Sequence, residues 1–277
     1  MRSMFKDHAI LNAIVNEFSQ LQEVEAILLA GSHTTDTQDE NSDYDLYIYS
    51  SKEVPVIKRE GIIKGFCDYV EINNQFWETE DDGIIRDVNT PIEIIYRDFD
   101  WIDTQLDRTL IKCQADVGYT TCFWSNFITS VILYDKHKKA GKLQQKYNVK
   151  YPEALKLDIV RKNYPLLREQ MPAYYFQIEK AIKRNDFVSI NHRVAALLAS
   201  YFDILFAINE MPHPGEKKLI KILKEKGAKL PLDMEKNLND LLSSISGFNE
   251  RILIEVNKLV DNLDNLLTAE GILTSEC

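Results

Sequence analysis

The sequence is short of basic charge, of paired cysteines and of long apolar runs. Its 277 residues hold 33 Lys and Arg against 43 Asp and Glu, a formal net charge of −10. The basic footprint of a nucleic-acid binder is therefore missing, and no nucleic-acid partner is expected. No apolar run approaches the roughly 20 residues of a membrane-spanning helix, so no membrane partner is expected either. Cys67, Cys113, Cys122 and Cys277 form no CxxC pair and no metal-finger spacing. They read as reduced thiols of a cytoplasmic protein, without a zinc site. The opening stretch MRSMFKDHAILNAIVNEF is interrupted by Asp7 and Glu17, while Ile10, Leu11, Ile14, Val15 and Phe18 keep helical spacing. That predicts an amphipathic helix near residues 7–20 in place of a signal peptide. Internal repeats and low-complexity segments are also lacking.

What is present is a globular composition, 45% hydrophobic and 27% charged, in a chain long enough to favour two domains. The first half mixes strand and helix signals. Strands are expected over 24–30 and 44–49, the second stopped by Pro55 after SSKEVP. GIIKGFCDYVEI alternates at Phe66, Asp68, Val70 and Ile72 and predicts a strand with an exposed face. ETEDDG reads as a solvated acidic loop leading to the strand TPIEIIYR. From about residue 100 the period changes, and both WIDTQLDRTLI and CFWSNFITSVILYD read as helices. The polar, basic KHKKAGKLQQKYNVKYP marks a boundary between a domain over 1–140 and a helical bundle over 141–277. NHRVAALLASYFDILFAINE is apolar almost all round and suits a central helix, while Val256, Leu259, Val260, Leu263 and Leu267 form one core-facing stripe. The fold class is α+β, a mixed sheet flanked by helices followed by an all-α bundle.

The chemistry-bearing stretch is ILLAGSHTTDTQDENSDYDLYIY, where a strand ends in Gly31-Ser32 and a second strand opens with Asp43 and Asp45. Residues i and i+2 of a strand share a side, so the two aspartates project together and Tyr44 faces away with Leu46 and Ile48. Paired carboxylates repel unless a cation neutralises them, and Mg²⁺ fits, taking one or two carboxylates plus substrate phosphates. Asp68, Glu71 and Glu93 are candidates for a third acid. Glu93 is chosen because it interrupts the apolar run Pro91-Ile92-Glu93-Ile94-Ile95. Gly31 lets the backbone approach a ligand closely, and a helix starting there would offer free amides to a phosphate beside the Ser32 hydroxyl.

Hydrophobic-Gly-Ser, about ten residues, Asp-x-Asp-hydrophobic and a later acid on a strand together resemble the nucleotidyltransferase superfamily related to DNA polymerase beta. Within it, AGSHTTDTQDENSDYDLYIY, TPIEIIYR and the tail with HPGEKK are similar to aminoglycoside and lincosamide nucleotidyltransferases and to bacterial relatives with a C-terminal helical domain. The resemblance implies that Gly31 and Ser32 hold the triphosphate, and His33 and Ser42 beside them are further candidate nucleotide contacts. It implies that Asp43, Asp45 and Glu93 are catalytic, with Asp43 and Asp45 binding two Mg²⁺ ions and Glu93 serving as the third metal ligand or as a base. It implies attack by a hydroxyl of a small-molecule acceptor on the alpha phosphorus of a nucleoside triphosphate, ATP by default, with pyrophosphate leaving. Many relatives have Arg-Gly after Gly-Ser where this chain has Thr35-Asp36, which removes a cation and a flexible glycine. The rival expectation is a catalytically silent member of the fold acting as a binding or regulatory, antitoxin-like module.

In MPHPGEKKLIKIL, Pro214-Gly215 forms a turn and Glu216 suits the first turn of a helix. Lys217 and Lys218 are the candidates for facing phosphate or acceptor. Asp203, inside the apolar helix, is expected to pair with Arg193 or His192, or else to serve as general base. His33 reads either as a phosphate contact or as an exposed loop residue. Tyr96 and Arg97 either support the site or form a surface ion pair.

Overall fold

A computed structural model describes residues 9–34, 42–86, 89–247 and 249–273. Thr35-Asp36, Cys277 and the first residues of the opening helix lie outside the described residues. The chain forms two compact units that do not follow a single cut. Met1–Asp107 and Phe123–Val149 make the first, and Arg108–Cys122 and Lys150–Cys277 the second.

The first unit opens with α1 (Ala9–Ser19) and β1 (Val24–Ala30), then a 3₁₀ turn at Gly31–Thr34 and β2 (Tyr44–Ser50). There follow α2 (Val56–Phe66), β3 (Cys67–Asn74), β4 (Glu80–Ile85), β5 (Thr90–Arg97) and α3 (Phe99–Leu106), which runs into a π-helical turn at Asp107–Ile111. After the excursion into the second unit come α4 (Cys122–Thr129), β6 (Val131–Asp135) and α5 (Lys139–Tyr147). The six strands lie in the order β3-β4-β5-β2-β1-β6. β2 and β5 run parallel, and the other pairings are antiparallel.

One sheet face is sealed by Leu11, Ile14 and Phe18 of α1 and Ile63 of α2, packed on Leu29, Leu46, Ile48, Ile92 and Ile94. On the other face Tyr49 stacks on Phe99 of α3 at 4.7 Å and meets Phe127 of α4 edge-on. At about 25 cal/mol per Å² of apolar surface, fully burying each such aliphatic side chain is worth about 2 kcal/mol.

Three segments differ from the sequence expectation. GIIKGF is helical: α2 starts after Pro55, and the Cys67 N–H bonds to the Ile63 carbonyl, so the alternation that predicts a strand holds only from Cys67 onward. ETEDDG is not a solvated loop, because β4 begins at Glu80 and Asp81 is fully buried. Asp81 is compensated by partners far along the chain: it accepts from the Asn73 amide at 2.8 Å and the Tyr96 hydroxyl at 2.7 Å, with Arg59 Nε at 3.5 Å. VILYD is a strand, since the open side of β1 offers it a ladder that a helix could not fill.

The second unit contains α6 (Glu153–Arg168), α7 (Tyr174–Lys183), α8 (Phe187–Ile208), α9 (Leu219–Lys226), α10 (Met234–Ser244) and α11 (Arg251–Ala269). Seven consecutive residues of α8, Tyr201 to Ala207, are buried, as its all-round apolarity requires. The Val256–Leu267 stripe of α11 is buried with them in one core. No helix among the described residues is long and apolar enough to cross a membrane.

Candidate active site

Strand register brings the acids together. Ala30 of β1 is opposite Asp45 of β2, and Asp45 is opposite Glu93 of β5. Asp43 lies two residues before Asp45, just ahead of the strand. A carboxylate oxygen from each of Asp43, Asp45 and Glu93 lies within 4.8 Å of the others, and all three residues are half-buried. Oxygen donors alone, three of them converging, suit a hard divalent cation such as Mg²⁺ better than a soft one.

The row of acids extends beyond these three. Asp82 of β4 is the cross-strand partner of Glu93, and Glu71 of β3 is the partner of Asp82. Burial pushes Asp82 above its ordinary value, and repulsion from Glu71 and Asp81 adds to it. Burial likewise raises Glu80, with Asp82 and Glu93 adding their negative charge. Asp82 and Glu80 escape a reading that takes ETEDDG for a loop. The alternation of Glu80, Asp82 and Ile84 against Asp81, Gly83 and Ile85 was the available signal. The other candidates for third acid lie outward: Asp68 is exposed and paired with Arg86 at 2.8 Å, and exposed Glu71 accepts from the Tyr69 hydroxyl at 2.5 Å.

Gly31 closes the site from the β1 side. Its φ is +66°, and a Cβ placed there would fall 1.6 Å from Asp45 Oδ2. Only glycine allows this conformation together with this approach. Among the described residues no long helix starts here: Gly31–Thr34 is a four-residue 3₁₀ turn. The expectation of a helix dipole aimed at phosphate is thus replaced by a tight backbone turn carrying Ser32. His33 is neither exposed nor turned outward. It is buried, stacked on Tyr44 at 4.3 Å, with Nε2 3.4 Å from the Ser42 carbonyl. His33 thereby fastens the turn to the start of β2, and Ser42 meets it through its backbone.

Arg97 is not a surface residue. Its side chain is 7% exposed, its Nε donates to Glu78 at 2.7 Å, and its guanidinium lies over the Tyr47 ring at 4.2 Å. Lys217 and Lys218 are exposed and precede α9 in the second unit, with Lys218 at φ +59° as its N-cap. Glu216 lies ahead of that helix, not in its first turn. Asp203 pairs with neither Arg193 nor His192, both of which are exposed. It is 1% exposed and accepts from the Thr120 amide at 3.0 Å, the Thr120 hydroxyl at 2.6 Å and Asn163 Nδ2 at 3.3 Å. Burial pushes its carboxyl up to about 7, against the pull of those hydrogen bonds. With both oxygens engaged inside its own unit, Asp203 is a structural acid.

Residues 12–98 match the family model described as Polymerase beta, Nucleotidyltransferase. This segment holds β1, the Gly-Ser turn and the three converging acids. It is a nucleotidyltransferase domain of the polymerase-beta superfamily, and such a domain supports nucleotidyl transfer in general. A nucleotidyltransferase-like protein from Exiguobacterium sibiricum 255-15 aligns over 95% of this chain and 75% of its own, at 12% identity and a TM-score of 0.43. No curated protein matches.

Proposed function

We propose that the domain moves a nucleoside monophosphate, AMP from ATP, onto a hydroxyl of a small molecule in a Mg²⁺-dependent reaction that releases pyrophosphate. The observation that carries this reading is the convergence of Asp43, Asp45 and Glu93 within 4.8 Å, on strands held in register beside Gly31. A cluster of three carboxylates costs stability through mutual repulsion, and cation binding offsets that cost.

Asp43, Asp45 and Glu93 would hold the metal, and Mg²⁺ when bound supplies charge that activates an oxygen nucleophile and stabilises the leaving group. Gly31 would let the backbone approach the triphosphate without steric conflict, and Ser32 would add a hydroxyl donor. The acceptor oxygen would form a bond to the alpha phosphorus as the bond from that phosphorus to the bridging oxygen of the pyrophosphate breaks. The acceptor proton would leave to solvent or to a carboxylate of the cluster.

The test is incubation with labelled ATP, CTP, GTP or UTP, Mg²⁺ and a panel of hydroxylated compounds, with Asp45→Asn as control. Pyrophosphate release by the wild type alone supports transfer. Equal release by both proteins for every acceptor removes the proposal. Mg²⁺-dependent ATP binding without turnover would instead favour the regulatory reading.

A further inference from the structure

The strands that carry the acids lead, at their other ends, to a second opening in the same unit. β2 and β5 are adjacent and parallel, but the helices that follow them leave to opposite faces. Ile63 of α2 joins the core over Leu46 and Ile48, whereas Phe99 of α3 stacks on Tyr49 of the other face. Adjacent parallel strands whose connections diverge in this way form a topological switch point. The crevice outside their carboxyl ends is where open sheets bind ligands. Here that crevice is a cavity of about 610 Å³ between the β2–α2 loop and the β5–α3 turn. The volume falls in the range of small-molecule sites. Five residue steps along β2, from Asp45 to Ser50, set it about 16 Å from the acids.

The β2–α2 wall of this cavity is polar. Ser50 is 8% exposed and lines the cavity, and its hydroxyl has no hydrogen bond among the described residues. Arg59 is 1% exposed, donates from Nη2 to Asn73 and pairs through Nε with Asp81 at 3.5 Å, so it places a fixed positive charge behind this wall. The Ser50 hydroxyl is thus available to a ligand acceptor, with the Arg59 charge behind it.

The charges around the cavity divide by wall. The β2–α2 side brings Lys52 together with Ser50 and Arg59, and Glu53 adds an exposed acid there. The β5–α3 side brings Asp98 and Asp100. Glu25 and Lys139 neutralise each other at 2.6 Å, and Arg97 is held by Glu78. A lone anion would meet Asp98 and Asp100, and a lone cation would meet Lys52 and Arg59. A molecule with both charges satisfies both walls.

We propose that this crevice binds a small zwitterion of the α-amino acid class. Its carboxylate meets Ser50 and Lys52, with the charge of Arg59 behind them, its ammonium faces Asp98 and Asp100, and its side chain lies against Phe99 and Tyr96. The site is separate from the acidic cluster and needs neither metal nor nucleotide.

The test is saturation-transfer NMR on the full chain with each common α-amino acid in turn, without Mg²⁺ or nucleotide. At least one amino acid gives transfer, and its N-acetyl and amide forms, each lacking one charge, give little. Affinity falls about tenfold in Lys52→Gln and in Asp100→Asn, two exposed positions whose substitution spares the fold, and is unchanged in Asp45→Asn. Absence of transfer with every amino acid overturns the proposal. So does a signal that survives both charge variants, or one that disappears in Asp45→Asn, which would place binding at the acidic cluster.

Discussion

Gly31, one residue past the Ala30–Asp45 pair of the β1–β2 ladder, lies so close to Asp45 that no side chain fits between them. A Cβ on residue 31 would lie 1.6 Å from Asp45 Oδ2, and the φ of +66° disfavours any L side chain there. Gly31→Ala must therefore displace the Asp45 carboxylate or the turn. A displacement of about 1 Å in a catalytic group costs on the order of 10²-fold in rate. The expected outcome is that loss in pyrophosphate release with the circular dichroism spectrum retained. Activity near wild type would show that Asp45 need not stay where it is.

Glu93 completes the oxygen cluster, and Glu93→Gln keeps its size while removing its charge. Mg²⁺ should then stabilise the protein less in thermal unfolding with ATP present, and relief of repulsion among the acids should leave the metal-free protein as stable or more so. The opposite pair of shifts would mean that Glu93 is no part of a cation site.

Arg59 and Asp81 are 1% and 0% exposed, and form an ion pair inside the first unit. Arg59→Met leaves Asp81 with the Asn73 amide and the Tyr96 hydroxyl. Breaking one side of a buried pair costs about 3–5 kcal/mol, so the urea midpoint should fall markedly. The double variant with Asp81→Asn should recover part of that loss, which a double-mutant cycle would measure.

Asp203 and His213 make opposite contributions to pH stability in the second unit. Burial raises Asp203 to about 7, so the stability it contributes is fully present below the ordinary aspartate range and is lost as pH rises through about 7. Burial lowers His213 to about 4, so its contribution is present above the ordinary histidine range and is lost as pH falls through about 4. Asp203→Asn should flatten the loss of stability between about pH 4 and about 7, and His213→Gln the loss toward pH 4. Thermal unfolding across pH for the three proteins checks both signs.

The strand ending at Ala30, the glycine after it, the paired aspartates and the apolar run around Glu93 were legible because each is a short-range pattern. A period of two fixes which side chains share a face, and one glycine fixes where the backbone can turn. The long apolar helix α8 and the stripe on α11 were legible for the same reason, being periodic over several turns.

The folded chain alone decided the fate of the remaining charges. Asp81 is buried because Arg59, Asn73 and Tyr96 reach it from other elements, and Asp203 because Thr120 lies 83 positions away along the chain. His33 is buried because Tyr44, at the start of β2, supplies a ring to stack on. A polar residue's tolerance of burial depends on partners that only tertiary contact supplies, and local periodicity carries no record of them. The cavity between the diverging loops is of the same kind, set by which face each helix takes after its strand.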